Sequence, residues 1–352
     1  MPSQPKKKKR MVILVHFLRA EDYKKYISFA KFIPPTLAEY FFGFKKFWVK
    51  QHFSINEEIE GWLISLFQTA KKLLLLPREV ARKKILEALL YAQEKLKAEF
   101  GVTGAFLSSL TQSGEWLVKR KELKMYITTG RALTVWALLE NLKKIQQELN
   151  FDLKEKNLAI VGAGGNIGSV LSKLLEKKVR KLFLIERKKE RIESLKKEIK
   201  NAYFSQNIKN VKEADIIITT TSHPDALLKD EFLKKGAIII DNSEPSNVSE
   251  DLLKQRKDIF VIDGARVSTK SIGFNLEEFN KVGCLPYTCY ACITEGILQA
   301  LEGRRENFVG KVDFEHLSEV EKWVAKYKIK PAPFSFAGKE VSLEDYKKVF
   351  HE

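Results

Sequence analysis

The sequence predicts an α/β protein that contains a doubly wound parallel sheet. Between residues 157 and 262, short continuous apolar runs alternate with helical patterns, as expected when parallel strands are buried on both faces and joined by helices. A glycine-rich turn separates the first of these runs from the helix that follows it. The length of 352 residues also leaves room for a second domain with its own core.

The N-terminal part mixes strand and helix patterns. Two of its apolar runs are separated by Asn56-Glu57 and are predicted to form a hairpin. Pro77 is predicted to open a long helix, and the apolar stripe of this helix is Val80, Ile85, Leu89 and Leu96. The strands of this part are predicted at 11–15, 47–55, 59–67 and 102–110.

A helix predicted over 131–149 leads into the parallel-sheet domain. Its apolar residues recur at steps of three and four and are Val135, Leu139, Leu142, Ile145 and Leu149. The strands of the domain are predicted at 158–161, 182–185, 216–218, 237–240 and 259–262. The helix after the glycine-rich turn carries Ile167, Val170, Leu171 and Leu174.

These patterns predict a linear domain organisation. The segments are a disordered basic tail at 1–10, an N-terminal mixed α/β domain at 11–130, a connecting helix at 131–150, the parallel-sheet domain at 151–275, and a C-terminal helical segment at 276–352.

The charge and composition limit the classes of partner. The formal net charge of +17 fits either a surface rich in Lys and Glu with no specific partner or a field that attracts an acidic partner. No recognisable helix-turn-helix, zinc finger or stacked-aromatic motif is present, so we expect no nucleic-acid partner. No apolar run approaches the ~18 residues of a membrane span, and the N-terminus lacks the features of a signal peptide. We therefore expect a cytoplasmic protein. If it associates with a membrane, we expect the contact to be peripheral.

The glycine-rich turn predicts a nicotinamide-dinucleotide site of the Rossmann type. Glycines allow a tight turn and a close approach of the backbone to the pyrophosphate, which the N-terminus of the next helix attracts. The usual third glycine would fall at Ile167, so the spacing is a G-x-x-G-x-x-G variant. The predicted cofactor-binding residues of the turn are Gly162, Gly164, Gly165, Asn166, Ile167 and Gly168. Three more, Thr220, Thr221 and Ser222, follow the carboxyl end of a later strand, where the nicotinamide is expected.

The end of the second strand bears on the choice between NADH and NADPH. An acidic residue there binds the ribose 2′-hydroxyl, whereas a basic residue accommodates a 2′-phosphate. Glu186 stands first and favours NADH, whereas Arg187 and Lys188 follow it and favour NADPH.

All three cysteines, Cys284, Cys289 and Cys292, lie close together in the sequence. If Thr288 caps the next helix, Cys292 lies in its first turns, where the helix dipole favours a thiolate; the charge of Glu295, one turn on, would oppose this effect. The first interpretation of these cysteines is structural, since a cysteine is often a small buried hydrophobic residue. A metal site lacks a fourth thiolate, and His223 and His316 are not at ligand spacing, so we expect no metal. A nucleophile that receives an acyl group is the third interpretation.

The chain resembles the cyanobacterial-type long-chain acyl-[acyl-carrier-protein] reductases from about Val12 nearly to its end. The matching stretches are Val15-His16-Phe17, Ile59-Glu60-Gly61, Thr128-Thr129-Gly130 with Thr134, Gly162 to Gly168, Ala214-Asp215-Ile216-Ile217, Ile239-Ile240-Asp241, Tyr290 to Leu298, Leu301-Glu302-Gly303 and Asn307-Phe308.

This resemblance implies that Cys292 accepts the acyl group, that the N-terminal domain houses a fatty chain, and that NADPH reduces the thioester to an aldehyde. An acidic acyl carrier protein, or coenzyme A, is then the expected carrier. His16 and Glu295 are the candidates for proton transfer. The chain departs from the family pattern at Glu186, at the additional cysteines Cys284 and Cys289, and at Arg131 and Leu133.

Two other functions remain open. One is a dehydrogenase of the shikimate dehydrogenase type, which needs no cysteine. A glutamyl-tRNA reductase would need an N-terminal cysteine, and no cysteine precedes Cys284. The other is a redox-sensing dinucleotide-binding protein that uses the cysteines as a switch.

Overall fold

A computed structural model describes residues 8–221, 227–243 and 246–350. The chain forms two compact units that are both discontinuous in sequence: the first combines Met1–Leu133 with Ser268–Lys330, and the second combines Thr134–Val267 with Pro331–Glu352. The sequence predicts consecutive segments instead, and in particular a single C-terminal segment at 276–352. Most of that segment belongs to the first unit, because its main helix packs on the N-terminal sheet.

The N-terminal sheet of the first unit has five strands in the order β2-β3-β1-β4-β5. Strands β2 and β3 form the predicted antiparallel hairpin, and the other neighbouring pairs are parallel. The strands are β1 (Lys9–Phe17), β2 (Phe47–Ile55), β3 (Ile59–Thr69), β4 (Phe100–Thr103) and β5 (Tyr126–Thr128). Lys9 and Arg10, predicted to be in the disordered tail, lie in β1, and the Arg10 guanidinium pairs with Glu60 at 2.8 Å on the neighbouring strand.

Six helices accompany this sheet: α1 (Tyr23–Tyr26), α2 (Pro35–Phe42), α3 (Ala70–Leu75), α4 (Arg78–Lys95), α5 (Ala105–Leu110) and α6 (Glu115–Val118). Helix α4 follows Pro77 as predicted and buries Ile85 and Leu89, whereas Val80 is exposed. The alanines of α4 complete its buried face.

The prediction of one strand over 102–110 is wrong in its second half. Strand β4 ends at Thr103, and Gly104 caps α5 in an extended conformation. The apolar run hides this change because a fully buried strand and a short buried helix show the same unbroken hydrophobicity.

Helix α7 (Arg131–Leu149) has the predicted bounds and leads into the parallel sheet. It buries Val135, Leu142, Ile145 and Leu149 as predicted, with Leu138 rather than Leu139 completing the stripe.

The sheet of the second unit has the order β11-β10-β9-β6-β7-β8, and the neighbours are parallel throughout. This is the doubly wound order of the dinucleotide-binding fold, with its switch point between β6 and β9. The strands are β6 (Asn157–Val161), β7 (Lys181–Ile185), β8 (Tyr203–Ser205), β9 (Ile216–Thr219), β10 (Ile238–Asp241) and β11 (Phe260–Asp263). The helices between them are α8 (Asn166–Leu175), α9 (Lys189–Glu198) and α10 (Glu250–Gln255). The predicted α/β fold class is confirmed. In this sheet, the sequence pattern did not predict β8.

The rest of the chain holds short strands and four helices. The strands are β12 (Arg266–Ser268), β13 (Thr288–Tyr290), β14 (Lys330–Pro331), β15 (Ser335–Phe336) and β16 (Lys339–Glu340). The helices are α11 (Glu277–Asn280), α12 (Ala291–Glu302), α13 (Phe314–Tyr327) and α14 (Leu343–Phe350). Within the described ranges, no helix combines the length and the apolar character that crossing a membrane requires.

Helix α12 is buried along most of its length and packs on β4 through Gly296. A Cβ atom at this position would lie only 2.6 Å from Cβ of Val102, closer than any real contact. Val102 is β-branched and stiff, so it has little freedom to move away. The contact therefore sets how closely the helix approaches the sheet.

We expect Gly296→Val to lower the free energy of unfolding by about 2 kcal/mol, in the range of overpacked cores. The loss is measured by urea denaturation with Val102→Ala as the partner mutation. The double variant should lose less stability than the two single variants lose in sum, because the smaller side chain at 102 makes room for the one at 296. Strict additivity of the two effects would contradict this packing.

Candidate functional site

The glycine-rich turn of the second unit joins β6 to α8. Gly162 has a positive φ of +84°, which favours glycine. Gly165 is the N-cap of α8, and a Cβ at Gly168 would lie 2.3 Å from the carbonyl oxygen of Gly162. Gly162 thus needs glycine for the turn, and Gly168 needs it for the close approach of helix to strand. This cradle fits the pyrophosphate of a dinucleotide, which the N-terminus of α8 would attract.

Glu186 lies under this turn. Its carboxylate is buried and accepts hydrogen bonds from the backbone N–H groups of Gly164 (3.1 Å) and Lys188 (3.0 Å). A Cβ at Gly164 would meet the same carboxylate at 2.8 Å. By contrast, Arg187 and Lys188 are exposed. Glu186 therefore holds the turn together, and the basic residues beside it face solvent.

The other predicted cofactor-binding residues lie at the switch point of the sheet. Asn166 and Ile167 begin α8 and are half-buried. The Thr220 hydroxyl donates to the carbonyl groups of Val161 (3.1 Å) and Gly162 (3.2 Å), which ties the end of β9 to the turn. The Thr221 hydroxyl donates to the Asn247 side chain at 2.8 Å. Ser222 lies outside the described residues.

In the first unit, Cys292 is the second residue of α12. The N-cap of this helix is Tyr290; Thr288, expected to be the cap, lies in β13 and donates its hydroxyl to the Leu285 carbonyl. Cys292 nevertheless lies in the first turn of α12, as expected. Cys292 is half-buried, whereas Cys284 and Cys289 are buried, and none of the three is in a disulfide.

The thiol of Cys292 lies at the carboxyl edge of the N-terminal sheet, where two glycines give it room. A Cβ at Gly104, directly after β4, would lie 2.8 Å from Sγ of Cys292. Gly130, shortly after β5, has a φ of +67°, and a Cβ there would lie 2.1 Å from the carbonyl oxygen of Cys292. A larger residue at Gly130 would displace the start of α12, and one at Gly104 would displace the thiol itself.

Glu295 lies one turn beyond Cys292 and is almost fully buried. Its carboxylate accepts hydrogen bonds from the Thr128 hydroxyl (2.6 Å) and the Leu133 backbone N–H (2.8 Å), and its Oε1 is 3.1 Å from Nε2 of His316. A buried carboxylate with this many partners is held rigidly.

His316, on α13, is the partner of Glu295 in this contact. Sequence reasoning considered it only as a possible zinc ligand. Its ring stacks on Phe308 with the centroids 3.7 Å apart. Burial acts to lower the pKa of His316, but the hydrogen bond and charge of Glu295, with the charges of Glu319 and Asp313, raise it above its usual value. The two residues meet across separate helices, so no local spacing in the sequence indicated the pair.

Arg131 brings a buried positive charge to the same region. Its guanidinium donates to the Gly310 carbonyl (2.8 Å) and the Ser108 hydroxyl (3.2 Å). Burial lowers the pKa of Arg131 to about 10, against the opposing charges of Glu295, Glu115 and Cys292. Arg131, Glu295 and His316 line one small pocket with residues of the 307–313 loop.

His16, near the end of β1, lies at the same edge of the sheet as Gly104, because Leu14 pairs with Thr103 in the β1–β4 register. Its Nδ1 is 2.8 Å from the Phe17 carbonyl oxygen. That oxygen only accepts, so Nδ1 carries the proton. Burial lowers the pKa of His16, so Nε2 of the neutral ring is an acceptor, and it has no partner among the described residues.

Several known proteins are similar to parts of this chain. Residues 143–264 match the family model described as shikimate/quinate 5-dehydrogenase. The chain is 26% identical over 240 residues to the long-chain acyl-[acyl-carrier-protein] reductase of Synechococcus elongatus, covering 65% of this chain and 69% of that protein. It is 30% identical over 191 residues to the glutamyl-tRNA reductase of Methanococcus maripaludis, covering 52% of this chain and 48% of that protein. The chain thus spans about half the length of this second relative.

Among solved structures, the L-tryptophan dehydrogenase of Nostoc punctiforme matches with a TM-score of 0.41 and 12% identity over 92% of this chain and 90% of that chain. The family match lies on the parallel-sheet unit with its glycine cradle. The comparisons therefore indicate an NAD(P)-dependent oxidoreductase that is similar to shikimate dehydrogenases and glutamyl-tRNA reductases.

We expect Glu295→Gln to lower the pKa of His316, because the substitution removes the charge that raises it. The measurement is an NMR titration of the imidazole, with Glu319→Gln as the matched control. The Glu319 carboxylate is 3.9 Å from Nδ1 of His316, so its loss should have the smaller effect.

The same substitution has a pH-dependent effect on stability. A histidine with a raised folded-state pKa stabilises the protein fully below its unfolded-state pKa, and this contribution is lost as the pH rises through the folded-state pKa. The stability difference between wild type and Glu295→Gln should therefore shrink as the pH rises through this range. An unchanged titration of His316 in Glu295→Gln would contradict the pairing.

Proposed function

We propose that this protein reduces fatty acyl thioesters to aldehydes with NAD(P)H through an acyl group held on Cys292. The observation that carries the proposal is a half-buried thiol in the first turn of α12, seated against Gly104 at the carboxyl edge of a sheet. The resemblance to a protein named a long-chain acyl-[acyl-carrier-protein] reductase supports it.

The electrostatics around the thiol favour its ionised form. The N-terminal end of a helix stabilises a thiolate, and the buried guanidinium of Arg131 interacts with Cys292. The Glu295 carboxylate, expected to oppose the thiolate, lies 3.1 Å from Nε2 of His316.

The first step transfers the acyl group. The Cys292 thiol loses its proton, for which Nε2 of His16 at the same edge of the sheet is the proposed acceptor once it reaches the sulfur, and the thiolate attacks the carbonyl carbon of the thioester. The bond between this carbon and the sulfur of the carrier breaks, and the carrier thiolate recovers the proton from His16. Cys292 is then bound to the acyl group as a thioester.

The second step is a reduction. The dinucleotide, when bound, supplies a hydride to the acyl carbon and is oxidised to NAD(P)⁺. The bond between carbon and the sulfur of Cys292 then breaks, releasing the aldehyde and regenerating the thiolate. One acyl thioester, one NAD(P)H and one proton thus yield one aldehyde, one carrier thiol and one NAD(P)⁺.

The carrier and the cofactor form are also proposals. An acidic acyl carrier protein suits a chain with a net charge of +17, and a coenzyme A thioester would present the same reacting bond. NADPH is favoured over NADH because the Glu186 carboxylate is already bonded to two backbone N–H groups, whereas Arg187 and Lys188 are exposed and free to meet a 2′-phosphate.

The direct test uses Cys292→Ala. Wild-type protein mixed with an acyl thioester and no cofactor should gain the mass of the acyl group, and adding NADPH should release aldehyde. Cys292→Ala should lose both, by at least about a thousandfold in turnover, as when a covalent nucleophile is removed. Cys284→Ala and Cys289→Ala are the matched controls and should keep acylation. Aldehyde formation by Cys292→Ala at the wild-type rate would contradict the mechanism.

The Cys292→Ala variant also distinguishes this reaction from a second candidate function. The match of residues 143–264 to shikimate/quinate 5-dehydrogenase favours reduction of a ketone without a covalent step. In that case Cys292→Ala would oxidise NADPH with a keto acid as fast as wild type, and no thioester would be consumed by either protein.

For the cofactor, we expect Arg187→Ala and Lys188→Ala each to raise the KM for NADPH by roughly tenfold and to leave the KM for NADH unchanged. A charge-assisted hydrogen bond to the 2′-phosphate is worth about 1.5–3 kcal/mol, and NADH lacks that phosphate. Lys196→Ala is the control, since Lys196 lies on α9, the helix that follows these two residues, but pairs with Glu193. Equal losses with both cofactors would refute the assignment.

A further inference from the structure

A group of exposed aromatic side chains covers the outside of α2 and of the 3-10 helix Ser28–Phe32. Phe32 is 83% exposed and Phe44 is 73% exposed, although residues of this type are usually buried. The members of this aromatic patch are Phe29, Phe32, Leu37, Tyr40, Phe41 and Phe44.

These side chains are not displaced members of the core. The inner faces of the same two helices are already packed, with Ala30 and Ala38 fully buried in a small core with Phe17, Tyr23 and Phe67. Three of the outer side chains contact each other instead. The Tyr40 ring lies edge to face with Phe41 at 5.9 Å and with Phe44 at 5.4 Å. The two helices therefore have one apolar face toward the protein and a second toward solvent.

The charge around the aromatic patch is positive. Residues 23–46 contain the lysines Lys24, Lys25, Lys31, Lys45 and Lys46, with Glu39 as the single acidic residue. Glu39 is turned toward the protein, where it accepts a hydrogen bond from the Thr69 hydroxyl. Lys31 and Lys45 are exposed and adjoin the aromatic residues in the sequence, whereas Lys25 pairs with Asp22 and Lys46 pairs with Glu87.

We propose that the aromatic patch docks this protein onto the surface of an anionic lipid bilayer. Aromatic rings are favoured at the boundary between headgroups and acyl chains, and lysines beside them are attracted to anionic headgroups. A second copy of this chain fits less well as the occupant, because it would bring lysines against lysines. The inference goes beyond the proposed reaction and does not depend on it.

The test is flotation of the full chain with vesicles of phosphatidylcholine alone and of phosphatidylcholine with one third phosphatidylglycerol. Wild type should bind the mixed vesicles, and Phe32→Ser combined with Phe44→Ser should reduce the partition coefficient at least tenfold. Lys31→Gln and Lys45→Gln should each reduce it roughly fivefold. Phe314→Ser is the matched control, since Phe314 is also exposed (54%) but lies on α13, and it should bind as wild type does.

Three results would overturn the proposal. The first is equal binding of wild type and the double serine variant to mixed vesicles, and the second is no binding by wild type. The third comes from sedimentation without lipid: a dimer that the double serine variant dissociates would assign the patch to a second copy. A variant whose thermal denaturation midpoint equals that of the wild type has an intact fold. A variant that fails this check is replaced by Phe41→Ser. Activity on acyl thioesters in free solution tests the reaction separately, so either proposal can fail alone.

Discussion

The close approach of helix α12 to the N-terminal sheet is the constraint on which the candidate chemistry depends. Backbone and side chain meet at distances that exclude any Cβ atom at Gly104, Gly130 and Gly296. These three glycines lie in separate parts of the sequence, and all three are needed to seat one helix. Because the helix is seated so closely, Cys292 lies at the edge of the sheet and Glu295 lies within reach of the Thr128 hydroxyl.

The electrostatic design of the first unit follows from this packing. A carboxylate buried as deeply as that of Glu295 is destabilising unless it is paired. The Leu133 backbone N–H and the His316 ring provide that pairing. His316 is in turn held by stacking on Phe308. The result is a rigid polar group one helical turn beyond the thiol.

Local patterns were sufficient to predict the parallel sheet and its glycine turn. The apolar run of β6, the glycines and the stripe of α8 are consecutive, so each supports the others. The same holds for the hairpin of β2 and β3 and for α7. Cys292 was also found locally, from its position before a helical stripe.

The missed features depend on contacts between distant residues. Strand β4 changes to α5 at Gly104, and this glycine lies against a sulfur far along the chain. His316 pairs with Glu295 across two helices. The grouping of 268–330 with the N-terminal residues results from the burial of α12. Neither hydrophobic period nor residue spacing carries information of this kind.

The bonds of Glu186 have a consequence for how cofactor preference can change during evolution. One carboxylate both holds the glycine turn through Gly164 and stands at the strand end that discriminates between the dinucleotides. Under the proposed cofactor assignment, a mutation at this position would alter selectivity and also loosen the turn. Substitutions at Arg187 or Lys188, whose side chains are exposed, carry no such penalty. Drift between NADH and NADPH is therefore easier through the two basic neighbours than through the acidic residue itself.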